Sequence, residues 1–414
     1  MDFSLDETQA ELRDLAAGLF RREAAPERLA AHEAAGGPYD AGLWRAAARA
    51  GLIGACLPEE AGGAGLGPVE MAVILREAGA HVAPIPLQDS LVAAMVIARH
   101  GTAGQRAALA PLAEGEIVLA TAPLEPGGEL GAVPVTRAHP AEGGAADAHR
   151  AADAHRAAAG DGDGHADGDG HGDAHRDAHG DAGYAAAAAG GAVRGGEWLL
   201  TGRAAPVGHA AQAAAILVPA ATGRGPGLFL VRPEDAAPRP VPTAAGGPAA
   251  ALVLDATPGR PVGEPGGPAF ADFGLLSLLA LTATASGVLA GALELTTGHL
   301  RNRRQFGRAL AEFQAVTMQI ADVYIAGRAL DVAVWSGAWR LAQGLHDQAA
   351  LDLAVAGHAV ADGGLTAVHT CQHLHGGLGL DVTYPLHRYF AWFKHRANLL
   401  GGAQTRLDAI GALV

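Results

Sequence analysis

Cysteine is nearly absent from this 414-residue chain: Cys56 and Cys371 are the only two. Both stand in apolar surroundings without metal-ligand spacing, so a disulfide framework and a thiolate metal site are excluded and small buried hydrophobes are expected. That usage fits a reducing, cytoplasmic compartment. Aromatic residues make up 5% of the chain although half of it is hydrophobic. The cores must therefore be built from Ala, Leu and Val, which favours close-packed helices. Positive charge is also scarce. The formal charge of −14 excludes nonspecific nucleic-acid binding, which needs a basic face. Met1 to Glu7 is polar and acidic, without the basic and apolar regions of a secretory leader. Phe273 to Leu293 carries no charge over a length able to cross a bilayer. It is rich in Ala, Thr and Gly, however, and runs on into Glu294 and an arginine cluster. A helix apolar all round equally serves as the central member of a soluble bundle, and no membrane span is expected.

What is present divides by texture, and the length allows two or three domains. Ser4 and Glu7 fit a capping box, followed by Leu12, Leu15, Leu19 and Phe20 at helical spacing. Residues 40–57 repeat the theme and end in a loop holding Gly63, Gly65 and Gly67. That spacing is not GxGxxG and no βαβ unit surrounds it, so the loop is expected to be a mobile connector whose glycines allow positive φ. Helices over 68–80 and 87–100 complete an N-terminal helical domain, 1–115. From Glu116 short apolar runs split by Gly and Pro predict the strands of a middle β-domain, 116–265, with the proline-rich 238–242 at an edge. An insert at about 139–192 interrupts it with DAHR repeats at Asp147, Asp153 and Asp173. It lacks large apolar residues, so it is expected to be a disordered spacer without a specific metal site. Residues 266–414 are helical throughout. Phe313, Val316, Ile320, Val323, Leu330 and Val334 form one stripe, with Trp335 and Trp339 beside it. A helix over 349–369 follows, then a glycine-rich turn, and a helix restarts after Pro385. Short loops between long helices predict an antiparallel bundle.

The densest chemistry lies at 299–314. Arg303, Arg304 and Gln305 crowd cationic and amide donors beside Phe306 at a turn through Gly307. Guanidinium forks match phosphate geometry; a solvated helix end with arginines near the C-terminal dipole is the structural alternative. The run RRQFG, the Phe313-Gln314 pair and HLHGGLG at 373–379 resemble the acyl-CoA dehydrogenase family, and the resemblance covers nearly the whole chain outside the insert. It implies an α+β, mainly α fold: an N-terminal helical domain, a middle β-barrel domain and a C-terminal four-helix bundle. It also implies FAD as cofactor and α,β-dehydrogenation of acyl-CoA thioesters, with electron-transfer flavoprotein as acceptor. In the family the positions of Arg303 and Gln314 hold the ADP part of FAD across a subunit interface. The same resemblance brings Gln305, Phe306, His373, Gly376 and Gly377 to the cofactor, the glycines through their backbone.

The family's catalytic carboxylate has no counterpart here. Removing the proton α to a thioester needs a base of suitable pKa. One family position, in a "YEGT"-like segment, falls on Gly401; the other falls on Ser277. Glu294 lies about five turns from Ser277, roughly 25 Å along a helix, and cannot substitute. Residues that contact the flavin ring in the family are missing as well. Leu124 stands where a Thr is expected, and Pro206-Val207-Gly208 replaces a Trp-Ile-Thr strand. Nucleotide-holding residues without ring-holding ones or a base are what a chain completing a site on a different subunit would carry, and the tail HLHGGLGLDVTYPLHRYF…LLGGA from His373 resembles the base-lacking subunits of actinobacterial α2β2 enzymes that oxidise steroid side-chain CoA esters. The expectation is a non-catalytic subunit completing a site on a homologous subunit that carries the Glu. Two other readings stand beside it: a homotetramer using Asp381 or Asp362 as base, and a non-redox acyl-CoA-binding or scaffold protein.

Overall fold

The computed structural model describes residues 4–141 and 197–414. The expected disordered insert lies almost wholly outside the described residues. Its first residues do not. His139 and Pro140 are the end of a strand, paired with Leu199 and Trp198.

Five helices open the chain: α1 (Glu7–Glu23), α2 (Pro26–Ala35), α3 (Ala41–Arg49), α4 (Pro68–Ala80) and α5 (Leu87–His100), followed by the short α6 (Ala103–Ala107) and α7 (Ala110–Ala113). Asp6, not Ser4, caps α1, accepting from the Gln9 amide, while Gln9 reaches back to the Asp6 amide. An Asp/Gln box does the same job on the amides two residues further on than expected. The glycine loop is not a free connector. Backbone bonds from Gly63, Ala64, Gly65 and Leu66 to Pro58, Gly54, Leu57 and Ala55 pin it. A Cβ on Gly63 would sit 2.1 Å from the Leu57 carbonyl oxygen.

Strands β1 (Leu119–Thr121), β2 (Arg137–Pro140), β3 (Trp198–Gly208), β4 (Ala215–Thr222) and β5 (Gly225–Val231) come next. The four-residue α8 (Pro233–Ala236), β6 (Arg239–Val241) and β7 (Ala249–Val262) follow. Neighbour pairings run β4–β2–β3–β7–β5 and return from β5 to β4, so the sheet closes on itself as a small barrel. Closure removes the exposed edges that an open sheet would present. The proline-rich β6 pairs only with β7, the edge position that proline's missing N–H allows.

The uncharged stretch lies within α9 (Ala269–Asn302), a 34-residue helix whose most apolar window is 78% buried. It packs on α4, α5, α10 (Gln314–Ala342), α11 (His346–Ala359), α12 (Leu365–Leu374) and α13 (Leu386–Leu399). Small residues let α4 and α9 approach until backbone meets backbone. A Cβ on Gly287 would lie 1.8 Å from the Arg76 carbonyl oxygen, and one on Gly79 would lie 2.3 Å from that of Thr284. Arg76 ties α4 to α10 through a two-pronged pair with buried Asp331 (both 3.1 Å), whose carboxylate also accepts from Ser286 on α9. The single helix expected over 349–369 is broken by a π-helical turn, Val360–Gly364, between α11 and α12. The last helix, α14 (Ala403–Gly411), follows Gly401 and Gly402.

Candidate functional site

The arginine-rich turn folds as a tight hairpin, Arg304–Gln305 paired with Arg308–Ala309. Phe306 (φ 53°) and Gly307 (φ 81°) form its tip in the left-handed region that such two-residue turns require. Phe306 is 91% exposed, and Arg303, Arg304, Gln305 and Gln314 are exposed with it. Phe306 meets Phe313 edge to face, and the Arg308 guanidinium stacks 3.9 Å over that ring. The hairpin thus presents cationic and amide donors and an aromatic ring on the outside of this chain. The glycine-rich turn Gly376–Leu380 is a 3-10 turn with Gly376 at φ 59° and Gly376 and Gly377 exposed. His373 is exposed. Its neighbour His375, overlooked in the sequence, is buried and stacks on His299 (4.4 Å). It also bonds the Cys371 carbonyl (2.8 Å) and the Tyr384 hydroxyl (3.3 Å). That links the glycine turn to the helix end that starts the hairpin. Burial lowers the His375 and His299 pKa values, which disfavours charging either ring of the stack.

A second feature lies between the N-terminal helices, the barrel and α13. It is a cavity of about 550 Å³ lined by Leu29, Val82, Asp89, His209, Trp392 and Arg396, among others. The volume falls within the range of small-molecule sites. Ser277 and Leu124 reach this wall, as do Pro206 and Gly208; Gly401 does not. Gly401 closes α13 in the left-handed region (φ 80°), a backbone that a glutamate would strain. Asp381 and Asp362 are exposed and away from the cavity, and Asp381 is held below the usual carboxylate range by the Thr383 amide and hydroxyl. Neither is placed to act as a base in this cavity. Glu294 is exposed as well.

The cavity does hold acids that sequence reading missed. Glu33 is committed to Arg388 by two 2.6 Å bonds. Asp89 accepts from the Thr121 hydroxyl at 2.7 Å, and burial raises its pKa to about 6. Burial lowers Arg396 to about 10 and His209 and His395 to about 4. A lone Asp in the first turn of α5 looks like a complement to the helix dipole; only the fold shows that it faces a cavity.

Comparison with known proteins decides what this arrangement belongs to. Residues 6–116 match the acyl-CoA dehydrogenase N-terminal domain and residues 278–413 the C-terminal domain. Acyl-CoA dehydrogenase FadE27 of Mycobacterium tuberculosis is 30% identical over 99% of this chain and 98% of its own length. The chain belongs to the acyl-CoA dehydrogenase family. A variant of the Tcur3481-Tcur3483 steroid ACAD superposes with a TM-score of 0.82 at 37% identity, covering 99% of this chain and 98% of that one. The ChsE4-ChsE5 complex from Mycobacterium tuberculosis gives 0.79 at 29% identity, over 100% and 98%. The helix–barrel–helix order is therefore the acyl-CoA dehydrogenase fold, the family's reaction is oxidation of a CH–CH bond, and its cofactor is FAD. The donor set fits that cofactor unevenly. The exposed hairpin suits a diphosphate and an adenine. Leu124 and Pro206 in the cavity offer only apolar side chains where a flavin ring would seek hydrogen bonds.

Proposed function

We propose that this chain is the non-catalytic subunit of an FAD-dependent acyl-CoA dehydrogenase acting on CoA thioesters, steroid side-chain esters among them. The observation that carries the reading is the split between its two ends. Donors of the nucleotide-holding type stand exposed on the hairpin, while neither family base position holds a carboxylate. Arg303 and Gln314 would hold the pyrophosphate and adenosine of FAD on a homologous subunit, with Gln305, Phe306, His373, Gly376 and Gly377 around them. Bound flavin supplies hydride acceptance; this chain's residues supply charge neutralisation and orientation at the nucleotide end. The relatives support a paired assembly, since the ChsE4-ChsE5 structure is itself a complex of two subunits. Electron-transfer flavoprotein is the proposed acceptor.

The test is co-expression with a glutamate-bearing relative. Arg303→Ala is expected to lower the flavin retained by the purified complex at least tenfold (about 1.4 kcal/mol or more, in the range for a charge-assisted contact) while leaving the assembly intact in size-exclusion chromatography. Full flavin retention by that variant would defeat the assignment.

A second reading, an active chain with an unconventional base, now rests on Asp89 rather than on Asp381 or Asp362, because only Asp89 brings a carboxylate without an arginine partner to the cavity. If the lone protein dehydrogenates acyl-CoA and Asp89→Asn lowers kcat by orders of magnitude, this second reading replaces the first.

A further inference from the structure

On the subunit reading, two exposed segments from distant parts of the chain serve one nucleotide: the hairpin that follows α9 and the glycine turn that follows α12. Neither is sturdy by itself. A two-stranded hairpin is marginal in isolation, and Gly376 (φ 59°) and Gly377 have no side chain with which to anchor their loop. Donors that are loose before binding lose that freedom on binding, at a cost in affinity. The residues that hold the two segments together therefore matter as much as those that face the ligand. His375 is placed to do this. It directly precedes Gly376 and is 5% exposed, so it acts through its neighbours rather than on a ligand. Its backbone amide bonds the Gln372 carbonyl (3.2 Å), while its ring takes the Cys371 carbonyl at the end of α12. A carbonyl only accepts, so Nδ1 carries the ring proton and Nε2 offers its lone pair to the Tyr384 hydroxyl. That bond ties the chain before the glycine turn to the chain after it. The flat face of the ring lies on His299, whose own carbonyl accepts from the Arg303 amide at 2.8 Å.

We propose that His375 is a positioning residue of the nucleotide-holding site. It closes the base of the glycine turn and, through its stack on His299, fixes that turn relative to the root of the arginine hairpin. What the two segments hold rests on the subunit reading; how they are held rests on this chain's own contacts. An imidazole serves all three partners at once, as a donor to the helix end, an acceptor for the hydroxyl and a flat face for the stack. A leucine would fill the volume but offer none of the three. With the stack in place, turn and hairpin present their donors as one preorganised surface. With it removed, each opens locally on its own. His299 gives the link its flat face, so an aromatic replacement there preserves the coupling and an alanine does not.

Hydrogen–deuterium exchange of the full-length protein alone, read by mass spectrometry, tests the link without flavin or partner. The hairpin segment 303–310 includes the Arg303 and Leu310 amides, bonded to the His299 and Arg303 carbonyls. His375→Ala is expected to raise exchange there about tenfold or more, while the barrel strand β5 keeps its rate. His299→Ala is expected to loosen the reciprocal side, residues 375–384, by a similar factor. His299→Phe, which keeps a ring against His375, should stay near the original rates in both segments. Circular dichroism checks folding, and the two His299 variants carry the test alone where His375→Ala does not fold. Unchanged exchange in the alanine variants, acceleration that reaches β5 equally, or a His299→Phe variant as loose as His299→Ala overturns the proposal. In the complex with a glutamate-bearing relative, both alanine variants are expected to retain flavin about fivefold less well or worse, with His299→Phe close to the unsubstituted protein. Flavin lost from Arg303→Ala but kept by both alanine variants would overturn the positioning role and leave the subunit reading standing. Flavin kept by Arg303→Ala as well would instead defeat the subunit reading, and with it the site that His375 positions.

Discussion

His209 and His395 stand at the cavity wall as neutral rings, each pushed down to about 4 by burial. An unfolded chain takes up those protons near pH 6.5, the folded chain only near 4. Between these values the unfolded state binds more protons, so stability falls as the pH is lowered through the window. Asp89 works the other way. Its folded form keeps a proton up to about pH 6 that the unfolded chain releases near 4, so its contribution is lost as pH rises from about 4 to 6. The two histidines each lose on the order of 2 kcal/mol between pH 6.5 and 5, against about 1 kcal/mol recovered by Asp89. A lower Tm at pH 5 than at pH 7 is therefore expected, and His395→Gln should shrink that drop; an unchanged drop in the variant would discount the buried-imidazole account. The residue scale is also where the sequence was hardest to read. Arg303, Gln305 and Gln314 announce themselves by motif. Asp89, His209 and Arg396 share no local spacing and meet only because α5, the barrel and α13 converge.

At the scale of elements, the contact between α4 and α9 sets how closely the N-terminal helices approach the long central helix. Gly287 is where the two backbones touch, with room for no side chain before the Arg76 carbonyl oxygen. Gly287→Ala must push the helices apart or shift both. It is expected to cost about 2–3 kcal/mol by overpacking, read as a lower denaturation midpoint, whereas Gly298→Ala, where a Cβ meets nothing within 4 Å, should be neutral or slightly stabilising. Equal midpoints for the two variants would refute the close-approach argument. Periodicity made these helices legible: 68–80 and 87–100 emerge with the bounds their patterns suggest. What periodicity missed were local chemical choices. Asp6 is an equally good cap residue two positions after Ser4, and the helix starts from it. The π-helical turn at Val360–Gly364 adds a residue to one turn without interrupting the helix that runs through it. The strand reaching His139 and Pro140 is held by pairing with Leu199 and Trp198, partners far along the chain on the other side of the insert.

At the scale of the molecule, the order of helical, stranded and helical segments was already visible in composition, and the uncharged α9 lies mostly buried among its neighbouring helices, as a bundle core does. Barrel closure was legible only through the family resemblance and not from the strand patterns, because the β4–β5 and β2–β4 contacts that complete the ring depend on tertiary register. The α10 surface extends the picture outward. Met318, Tyr324 and Ile325 are more than half exposed, an apolar patch of the kind that subunit contacts cover. Ile325→Glu is expected to weaken assembly with a related subunit at least tenfold in analytical ultracentrifugation while leaving this chain's helical circular dichroism unchanged; undiminished assembly would place the contact elsewhere.

The most direct measurement is flavin stoichiometry and acyl-CoA dehydrogenase turnover of the purified protein, alone and paired with a relative that keeps the glutamate. A subunit that holds only the nucleotide end of FAD should carry little flavin and no activity by itself. Paired, it should recover both and lose the flavin again with Arg303→Ala. Stoichiometric FAD together with turnover from the lone chain would contradict the account.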